Sequence, residues 1–191
     1  MSVRDDETEL WRRARENDGS AFAELFDLHH ARVYGRAIAL VGDVHEADDI
    51  AAAAFFELWR KRRSISLVAG SVRPWLLVTT VNLSRNARRS TARYRHLLRD
   101  LPHPEPRGEP DAEAAETSNR LAESLRRLTP IDAALFVMTA LEGVPIADAA
   151  QTVGLKAATA RVRLHRARTR LRAELQDLRP DSEPVVEVSP S

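Results

Sequence analysis

The 191-residue sequence predicts an all-α protein of two small helical domains, joined by a flexible, acidic, proline-rich linker. Apolar residues recur three and four positions apart along most of the chain, which is the spacing of one helix face. Residues 100–117 interrupt this spacing with four prolines and six acidic residues against one arginine. Such a composition cannot bury a core. In the first half no segment alternates apolar and polar residues with the composition of a strand.

The overall composition limits the class of protein. Hydrophobic residues make up 43% of the chain and aromatic residues only 5%, so the cores must be built from Leu, Ala, Val and Ile. The chain has no cysteine, which excludes disulfides and thiolate metal sites. The N-terminal residues lack the apolar segment of a signal peptide, and no uncharged run approaches the ~20 residues of a membrane span. We therefore expect a cytoplasmic protein without membrane insertion.

The first half is predicted to form four helices. A short helix covers residues 7–15, and Ser20 is expected to cap a second helix that ends at Gly42 and Asp43. The third helix is expected over residues 46–62 and the fourth from about residue 73, capped by Ser71. The residues predicted to face inward are Phe22, Leu25, Phe26, Val33, Ala37, Leu40, Val41, Ala47, Ile50, Ala54, Phe55, Leu58, Trp75, Leu76, Thr79 and Leu83.

The linker divides the chain into segments. We predict a first domain over residues 1–99, the linker over 100–117, a second domain over 118–178 and a disordered tail over 179–191. The helix of the second domain is expected to begin near Asn119, with Leu121, Leu125 and Leu128 on its buried face. Because so few residues of the linker are apolar, the two halves are expected to fold independently.

The second half contains a helix-turn-helix pattern. Thr129 and Pro130 are typical of a helix start, and that helix is expected to end at Gly143. A short helix over residues 146–152, a turn at Gly154 and a longer helix then follow. In such motifs the second helix lies in the DNA major groove. Its polar faces carry Arg161, Arg163, His165, Arg166, Arg168, Arg170 and Arg172. An arginine-rich helix hairpin that faces only solvent is the alternative interpretation.

Residues from both halves, in their order and spacing, resemble the extracytoplasmic-function (ECF) group of bacterial RNA polymerase sigma factors. The resemblance covers about residues 9–175, and no single motif decides it. In the first half it depends on Ala21-Phe22, Leu25-Phe26, Gly42-Asp43, Ala47-Asp48-Asp49-Ile50, Phe55-Phe56-Glu57-Leu58-Trp59, Trp75-Leu76 and Asn82. In the second half it depends on Leu128-Thr129-Pro130, the helix-turn-helix, Thr159, Arg166-Ala167-Arg168 and Leu171-Arg172.

The resemblance implies a role for each domain. The first domain would bind the clamp of the RNA polymerase core and read the minus-ten promoter element as a melted single strand. The second would bind the polymerase flap and read the minus-thirty-five element as duplex DNA. An anti-sigma factor is a further candidate partner.

The resemblance also implies site residues. Those for the minus-thirty-five element are Thr159, Arg161, Val162, Arg163, His165 and Arg166. Those for the minus-ten element are Lys61, Arg62, Arg63, Asn82, Arg85, Asn86 and Arg89. Those for the polymerase core are Asp48, Asp49, Ala52 and Ala53. The family holds a flipped base in the loop over residues 61–72. Asn82 and Asn86, one turn apart on the fourth helix, match asparagines that the family uses beside that base, and their amides offer donors and acceptors. Arg85 and Arg89 are expected to meet phosphates.

Two departures from the family pattern stand out. Family members usually carry a Gln-Glu pair where this chain has alanines over residues 51–54, so core affinity is expected to differ. Lys156 stands where a Ser or similar cap usually precedes the recognition helix, and Ala158 and Ala160 replace a Gly and a Val. The second change makes the DNA sequence preference unpredictable.

Enzymatic motifs are missing from the sequence. The chain has no P-loop, GxGxxG or GxSxG sequence and no zinc-like spacing of ligands, so neither a metal nor another cofactor is expected. Asp48 and Asp49 suit a solvated helix start better than acid–base catalysis. We predict a protein that is not an enzyme. The alternatives are a stand-alone helix-turn-helix regulator and an adaptor of sigma fold that no longer recognises promoters.

Overall fold

The computed structural model describes residues 3–97 and 112–175, with side chains over residues 6–87 and 120–175. Over these ranges the chain is helical and contains no β-strand, which confirms the predicted all-α class. The helices are α1 Val3–Arg15, α2 Gly19–Val41, α3 Val44–Lys61, α4 Arg73–Leu97, α5 Ala112–Arg127, α6 Pro130–Phe136, α7 Ile146–Thr152 and α8 Ala157–Glu174. A short π-helix, Val137–Leu141, extends α6.

The first four helices enclose one apolar core. α2 packs against α1, α3 and α4, and the core centres on Leu25 of α2, Leu58 of α3 and Leu76 of α4, which are fully buried. The inward face predicted for α3 is confirmed, since all its predicted residues are buried. Because α3 and α4 meet in this core, the loop between them is held at one end of the bundle.

One predicted cap is wrong and one boundary is confirmed. The N-cap of α2 is Asp18 and not Ser20, because the Asp18 carboxylate accepts hydrogen bonds from the backbone N–H of Ser20 and of Ala21. The predicted break between α2 and α3 is present. Gly42 takes the left-handed conformation at φ 75°, which glycine adopts without steric cost, and Asp43 caps α3.

The linker is shorter than predicted. α5 begins at Ala112, inside the expected linker and seven residues before the expected helix start near Asn119. Residues 112–117 are mainly Ala and Glu, which are strong helix formers, so an acidic composition does not prevent them from extending the helix. The rest of the predicted linker, residues 100–111, and the predicted tail, 179–191, lie outside the described residues.

The helix after Thr129 begins as predicted but ends differently. The Thr129 hydroxyl accepts a hydrogen bond from the Asp132 backbone N–H, and Pro130 occupies the first turn. The α-helical part stops at Phe136, and the π-helix then continues to Leu141 with a bond from the Glu142 N–H to the Val137 carbonyl. The predicted terminator, Gly143, follows at φ 66°.

The two halves share a buried interface. Leu77 and Val81 of α4 and Leu40 of α2 pack against the second half, whose contributing side chains include Leu125 and Leu135. α4 is therefore buried on two faces, one toward α2 and α3 and one toward α6 and α7. The sequence pattern predicts only the first face. Independent folding of the halves stays a prediction.

Candidate nucleic-acid and polymerase interfaces

The predicted helix-turn-helix is present in the second half. α7 ends at Thr152, Gly154 turns the chain at φ 70°, and α8 starts at Ala157. Four side chains of α8 spaced three and four apart are buried: Ala160, Leu164, Ala167 and Leu171. Because these residues fasten one face of α8 to the second half, the opposite face is displayed to solvent.

The displayed face combines cationic and apolar side chains. Arg161, His165 and Arg166 are exposed, and between them Val162 leaves 52% of its surface accessible. Arginine can bind a guanine edge through two hydrogen bonds, and an apolar side chain can contact the thymine methyl group. The first three turns of α8 thus carry the chemistry for reading base edges. Thr159 is also exposed at the start of this face.

Arg163 has an intramolecular role that the sequence did not reveal. Its Nε donates to Asp132 Oδ1 at 2.7 Å, and its Nη2 donates to Thr129 Oγ1 at 3.0 Å. The side chain is half-buried and points to the start of α6. These two bonds hold α8 against α6. Arg163 is therefore distinct from the exposed residues Arg161, Val162, His165 and Arg166.

The first turn of α8 lacks a side-chain cap. Lys156 has the extended backbone of an N-cap residue, but its side chain makes no capping hydrogen bond. Ser, Thr, Asp and Asn stabilise this position by accepting a bond from a backbone N–H of the first turn.

We expect Lys156→Ser to raise the free energy of unfolding by about 0.5–2 kcal/mol, because it supplies that acceptor. Urea unfolding of the full chain measures the change. The control is Ala158→Ser, an exposed site inside the same helix where a serine has no capping function and lower helix propensity. Equal stability changes for both variants would contradict the capping explanation.

The minus-ten candidates on α4 do not all face solvent. Asn82 and Asn86 are exposed and one helical turn apart. Arg85, between them in sequence, donates from Nη1 to the Leu125 carbonyl and from Nη2 to the Leu128 carbonyl, both at 2.9 Å. In this structure Arg85 therefore contacts the second half, and its contact with a phosphate stays a prediction. The side chain of Arg89 lies outside the described residues.

A basic concave surface lies at the end of α3. It is lined by Lys61, Arg62 and Arg63 together with Asn17, Arg60 and Ser64. Arg62 stacks on the Trp59 ring at 4.0 Å and hydrogen-bonds Asn17, while Lys61 pairs with Glu57 at 3.1 Å. Asn17, from the turn between α1 and α2, was missed by sequence reasoning. Asn17 has a left-handed backbone, at φ 72°, and this conformation is known only from the structure.

A buried carboxylate holds the loop that connects α3 to α4. Oε1 of Glu7 accepts hydrogen bonds from the Ser71 hydroxyl and the Val72 N–H and contacts Nε2 of His29, each at 2.8 Å. Glu7 is 5% exposed and His29 6% exposed. Sequence reasoning missed this contact. The available signal was that Glu7 shares the helical face of Trp11 and Ala14, which are both buried.

The polymerase-binding candidates lie on an exposed face of α3. Asp48, Asp49 and Ala52 are exposed and Ala53 is half-buried, whereas Ala51 and Ala54 belong to the core. Sequence reasoning did not assign the next turn, where Phe56 is 64% exposed. This face therefore offers two carboxylates followed by an apolar surface.

Neither a membrane span nor a metal site is present within the described ranges. Residues 3–97 and 112–175 contain no helix long and apolar enough to cross a membrane. Over the same ranges, no three His, Asp or Glu side chains are grouped as metal ligands.

Family models match both halves of the chain. Residues 25–94 match sigma-70 region 2, and residues 118–171 match sigma-70 region 4, so that together the matches cover about two thirds of the chain. The ECF RNA polymerase sigma factor SigL of Mycobacterium tuberculosis is 29% identical over 169 residues, covering 84% of this chain and 95% of that protein. The ECF RNA polymerase sigma factor SigW of Bacillus subtilis is 23% identical over 183 residues, covering 87% and 95%.

Solved structures share the fold. The structure of CnrH in complex with the cytosolic domain of CnrY matches 92% of this chain and 99% of that chain with a TM-score of 0.63 at 21% identity. The sigma factor RpoE of Bartonella quintana, in complex with the anti-sigma factor NepR, matches 81% and 96% with a TM-score of 0.53. With both sigma-70 regions in order and ECF sigma factors as its relatives, the chain belongs to the ECF group of sigma factors.

Proposed function

We propose that this chain binds the RNA polymerase core and directs it to specific promoters, where it enables promoter melting and the initiation of transcription. One observation supports the proposal: a single chain displays two separate surfaces whose chemistry suits nucleic acid. They are the exposed face of α8 and the part of the first half formed by the end of α3 and the exposed amides of α4. The protein acts in the cytoplasm without catalysis of its own, because the polymerase supplies the chemistry.

The α8 surface suits duplex DNA. Arg161, Val162, His165 and Arg166 can reach base edges in the major groove, while the arginines farther along the helix position it on phosphates. Arg163 supports this surface through α6 and is assigned a positioning role.

The end of α3 and the exposed amides of α4, both in the first half, suit single-stranded DNA. The exposed amides of Asn82 and Asn86 can donate to and accept from an unpaired base edge. The basic surface around Arg63 attracts the phosphate backbone. Glu7 holds the intervening loop by its bonds to Ser71 and Val72.

Transcription in vitro tests the proposal. Purified polymerase core, with and without the full chain, would be given a library of genomic fragments, and the 5′ ends of the transcripts would be mapped. We expect transcripts from a restricted set of start sites that share two upstream elements and depend on the chain. DNA binding without core would favour a stand-alone regulator, whereas core binding without new start sites would favour an adaptor.

The α3 face gives a prediction about docking. The double substitution Ala52→Gln and Ala53→Glu should tighten binding to the polymerase core by about 1–3 kcal/mol, because it adds an amide and a carboxylate beside Asp49. Competition with another sigma factor for limiting core measures the change. Ala23→Glu, at an exposed site of α2, controls for added charge. An unchanged or weaker affinity of the double variant would show that the chain docks through other contacts.

A further inference from the structure

We propose that Arg62 and Asn17 are positioning residues for promoter melting: their contact ties the loop over residues 62–72 to the corner between α1 and α2, and Arg62 does not bind DNA itself. The corner is formed by residues 15–18. The inference rests on the proposed function, because this loop is the segment in which the family holds a flipped base. It reassigns Arg62, which the resemblance places among the minus-ten contacts.

The guanidinium of Arg62 is held inside the protein. Its Nη1 donates to the Trp59 carbonyl at 2.6 Å, and its Nη2 donates to Oδ1 of Asn17, 45 positions earlier in the chain. The group stacks on the Trp59 ring at 4.0 Å, and Nε is buried without a hydrogen-bond partner among the described residues. A guanidinium binds a phosphate most strongly through two parallel N–H bonds. Because the Nε edge is buried and the stack fixes the plane of the group, Arg62 is placed to hold the loop and not a phosphate.

The corner also holds the next residue of the loop. Nη2 of Arg15 donates to the backbone carbonyl of Arg63 at 3.2 Å. The Arg63 side chain is exposed and lines the basic concave surface at the end of α3. The corner thus fixes the backbone from which Arg63 projects and leaves its guanidinium available to the phosphates of a strand.

The corner is a rigid support, because its own bonds fix its backbone. The Asp18 carboxylate caps α2 by accepting from two backbone N–H groups of the first turn, and it also accepts from Nε of Arg13 at 2.8 Å. Asn17 has φ 72°, a left-handed conformation that asparagine tolerates better than most residues with a side chain. The amide of Asn17 is therefore presented to Arg62 from a fixed position.

α1 and the corner together hold both ends of the loop. The corner binds its first two residues, and Glu7 of α1 binds Ser71 and Val72 at its end. Between these points Val68 and Ser71 exchange two backbone hydrogen bonds, each 3.1 Å long. The loop thus has its shape before DNA is bound. A preformed site avoids the entropy cost of ordering on binding, so loosening either end should weaken binding of the unpaired strand.

The salt dependence of DNA binding separates holding the loop from direct contact. The full chain on polymerase core would bind a single-stranded oligonucleotide that carries the minus-ten element of a promoter mapped by the transcription experiment. One lost phosphate contact lowers the slope of log Kd against log salt concentration by about 0.7 for a single strand. We expect Arg63→Ala to lower the slope by this amount, and Arg62→Ala to weaken binding about three- to tenfold with the slope unchanged. Unchanged binding by Arg62→Ala, or a slope lowered as much as by Arg63→Ala, would overturn the proposal.

Substitutions of Asn17 test the same contact from its other side. Asn17→Gly removes the acceptor and keeps the left-handed backbone free of strain, whereas Asn17→Asp keeps an acceptor oxygen. On the same oligonucleotide, the double variant Asn17→Gly with Arg62→Ala should bind as Arg62→Ala alone does, because both changes remove one contact. Losses that add would overturn the shared role, since independent sites contribute additively.

Hydrogen exchange of the free full chain tests the contact without polymerase. Asn17→Gly should speed exchange of the amides over residues 62–72 at least about tenfold, as for the loss of a hydrogen bond to a charged group, while the amides of α8 keep their rates. Asn17→Asp should leave the loop rates as they are in the unchanged chain. Unchanged loop rates in Asn17→Gly, or an equal rise in α8, would overturn the proposal. Failure of the unchanged chain on core to bind the oligonucleotide would contradict the proposed function instead, because the exchange result is independent of it.

Discussion

Replacing Glu7 with alanine is expected to destabilise the protein by about 3–5 kcal/mol, because at about 1–3 kcal/mol each several buried groups are left without their acceptor. Three groups lose their acceptor at once: the His29 ring, the Ser71 hydroxyl and the Val72 N–H. Because a domain is stable by only about 5–15 kcal/mol, this is a large part of the total. Urea unfolding of the full chain measures it.

A neighbour on the same helix provides the control. Glu9 is exposed and pairs with Arg12 at 2.7 Å, so Glu9→Ala should cost far less than Glu7→Ala, because solvent screens a surface pair. Glu7→Gln keeps an acceptor oxygen and should cost an intermediate amount, about 1–3 kcal/mol. Similar losses for Glu7→Ala and Glu9→Ala would show that the buried carboxylate does not hold the loop.

The Glu7 contribution should depend on pH. Burial raises the pKa of this carboxyl, but the hydrogen bond and charge of His29 and the bonds from Val72 and Ser71 lower the pKa further, to a net value below the ordinary one. Such a group stabilises the folded state above its unfolded pKa of about 4.3, and this stabilisation is lost as the pH falls through the folded pKa. The stability difference between the unchanged chain and Glu7→Gln should therefore be largest at neutral pH and shrink in acid. A difference that grows in acid would contradict the assignment.

Glu7 should also affect promoter melting more than duplex binding. In Glu7→Gln, the loop over residues 62–72 loses its charged anchor while α8 is untouched. With polymerase core present, permanganate reactivity of unpaired thymines reports melting, and protection of the minus-thirty-five element reports duplex contact. We expect melting to fall while protection is kept. A parallel loss of both signals would indicate general unfolding and not a local effect on the loop.

Arg161→Ala or Arg166→Ala is expected to weaken binding of the holoenzyme to its promoter by about 1–3 kcal/mol, or about 5–150-fold, as for a lost two-bond contact to a base. Both side chains are exposed in the first three turns of α8, in the N-terminal half of the helix, which is the part of a recognition helix that meets base edges. Binding would be measured with the full chain on core, using the cognate promoter and one whose minus-thirty-five element is scrambled.

The comparison of the two DNAs separates base reading from phosphate contact. A base-reading arginine should lose affinity for the cognate promoter and little for the scrambled one. Arg172→Ala, in the last turn of the same helix, should weaken both DNAs alike. Arg163→Ala should reduce thermal stability, because it removes the pair with Asp132. Equal losses on both DNAs for Arg161→Ala and Arg166→Ala would reassign these residues to phosphates.

Much of this protein follows from sequence periodicity and local chemistry. The buried face of α3, the glycine break at Gly42, the cap at Thr129 and the helix-turn-helix are all decided by residues within a few turns of each other. Local patterns of this kind can be predicted from the sequence, because helix geometry places residues three and four apart on one face. The exposed residues of α8 were predictable for the same reason.

Long-range contacts were decided only by the tertiary structure. The partners of Glu7 are 22, 64 and 65 positions away, Asn17 lies 45 positions from Arg62, and the partners of Arg85 are 40 and 43 positions away. An arginine on a helix surface has the same local sequence signal whether it meets a phosphate, as predicted for Arg85, or a backbone carbonyl, as found. Which partner it takes depends on how the second half packs on α4, because only that packing brings the carbonyls of Leu125 and Leu128 within hydrogen-bond distance.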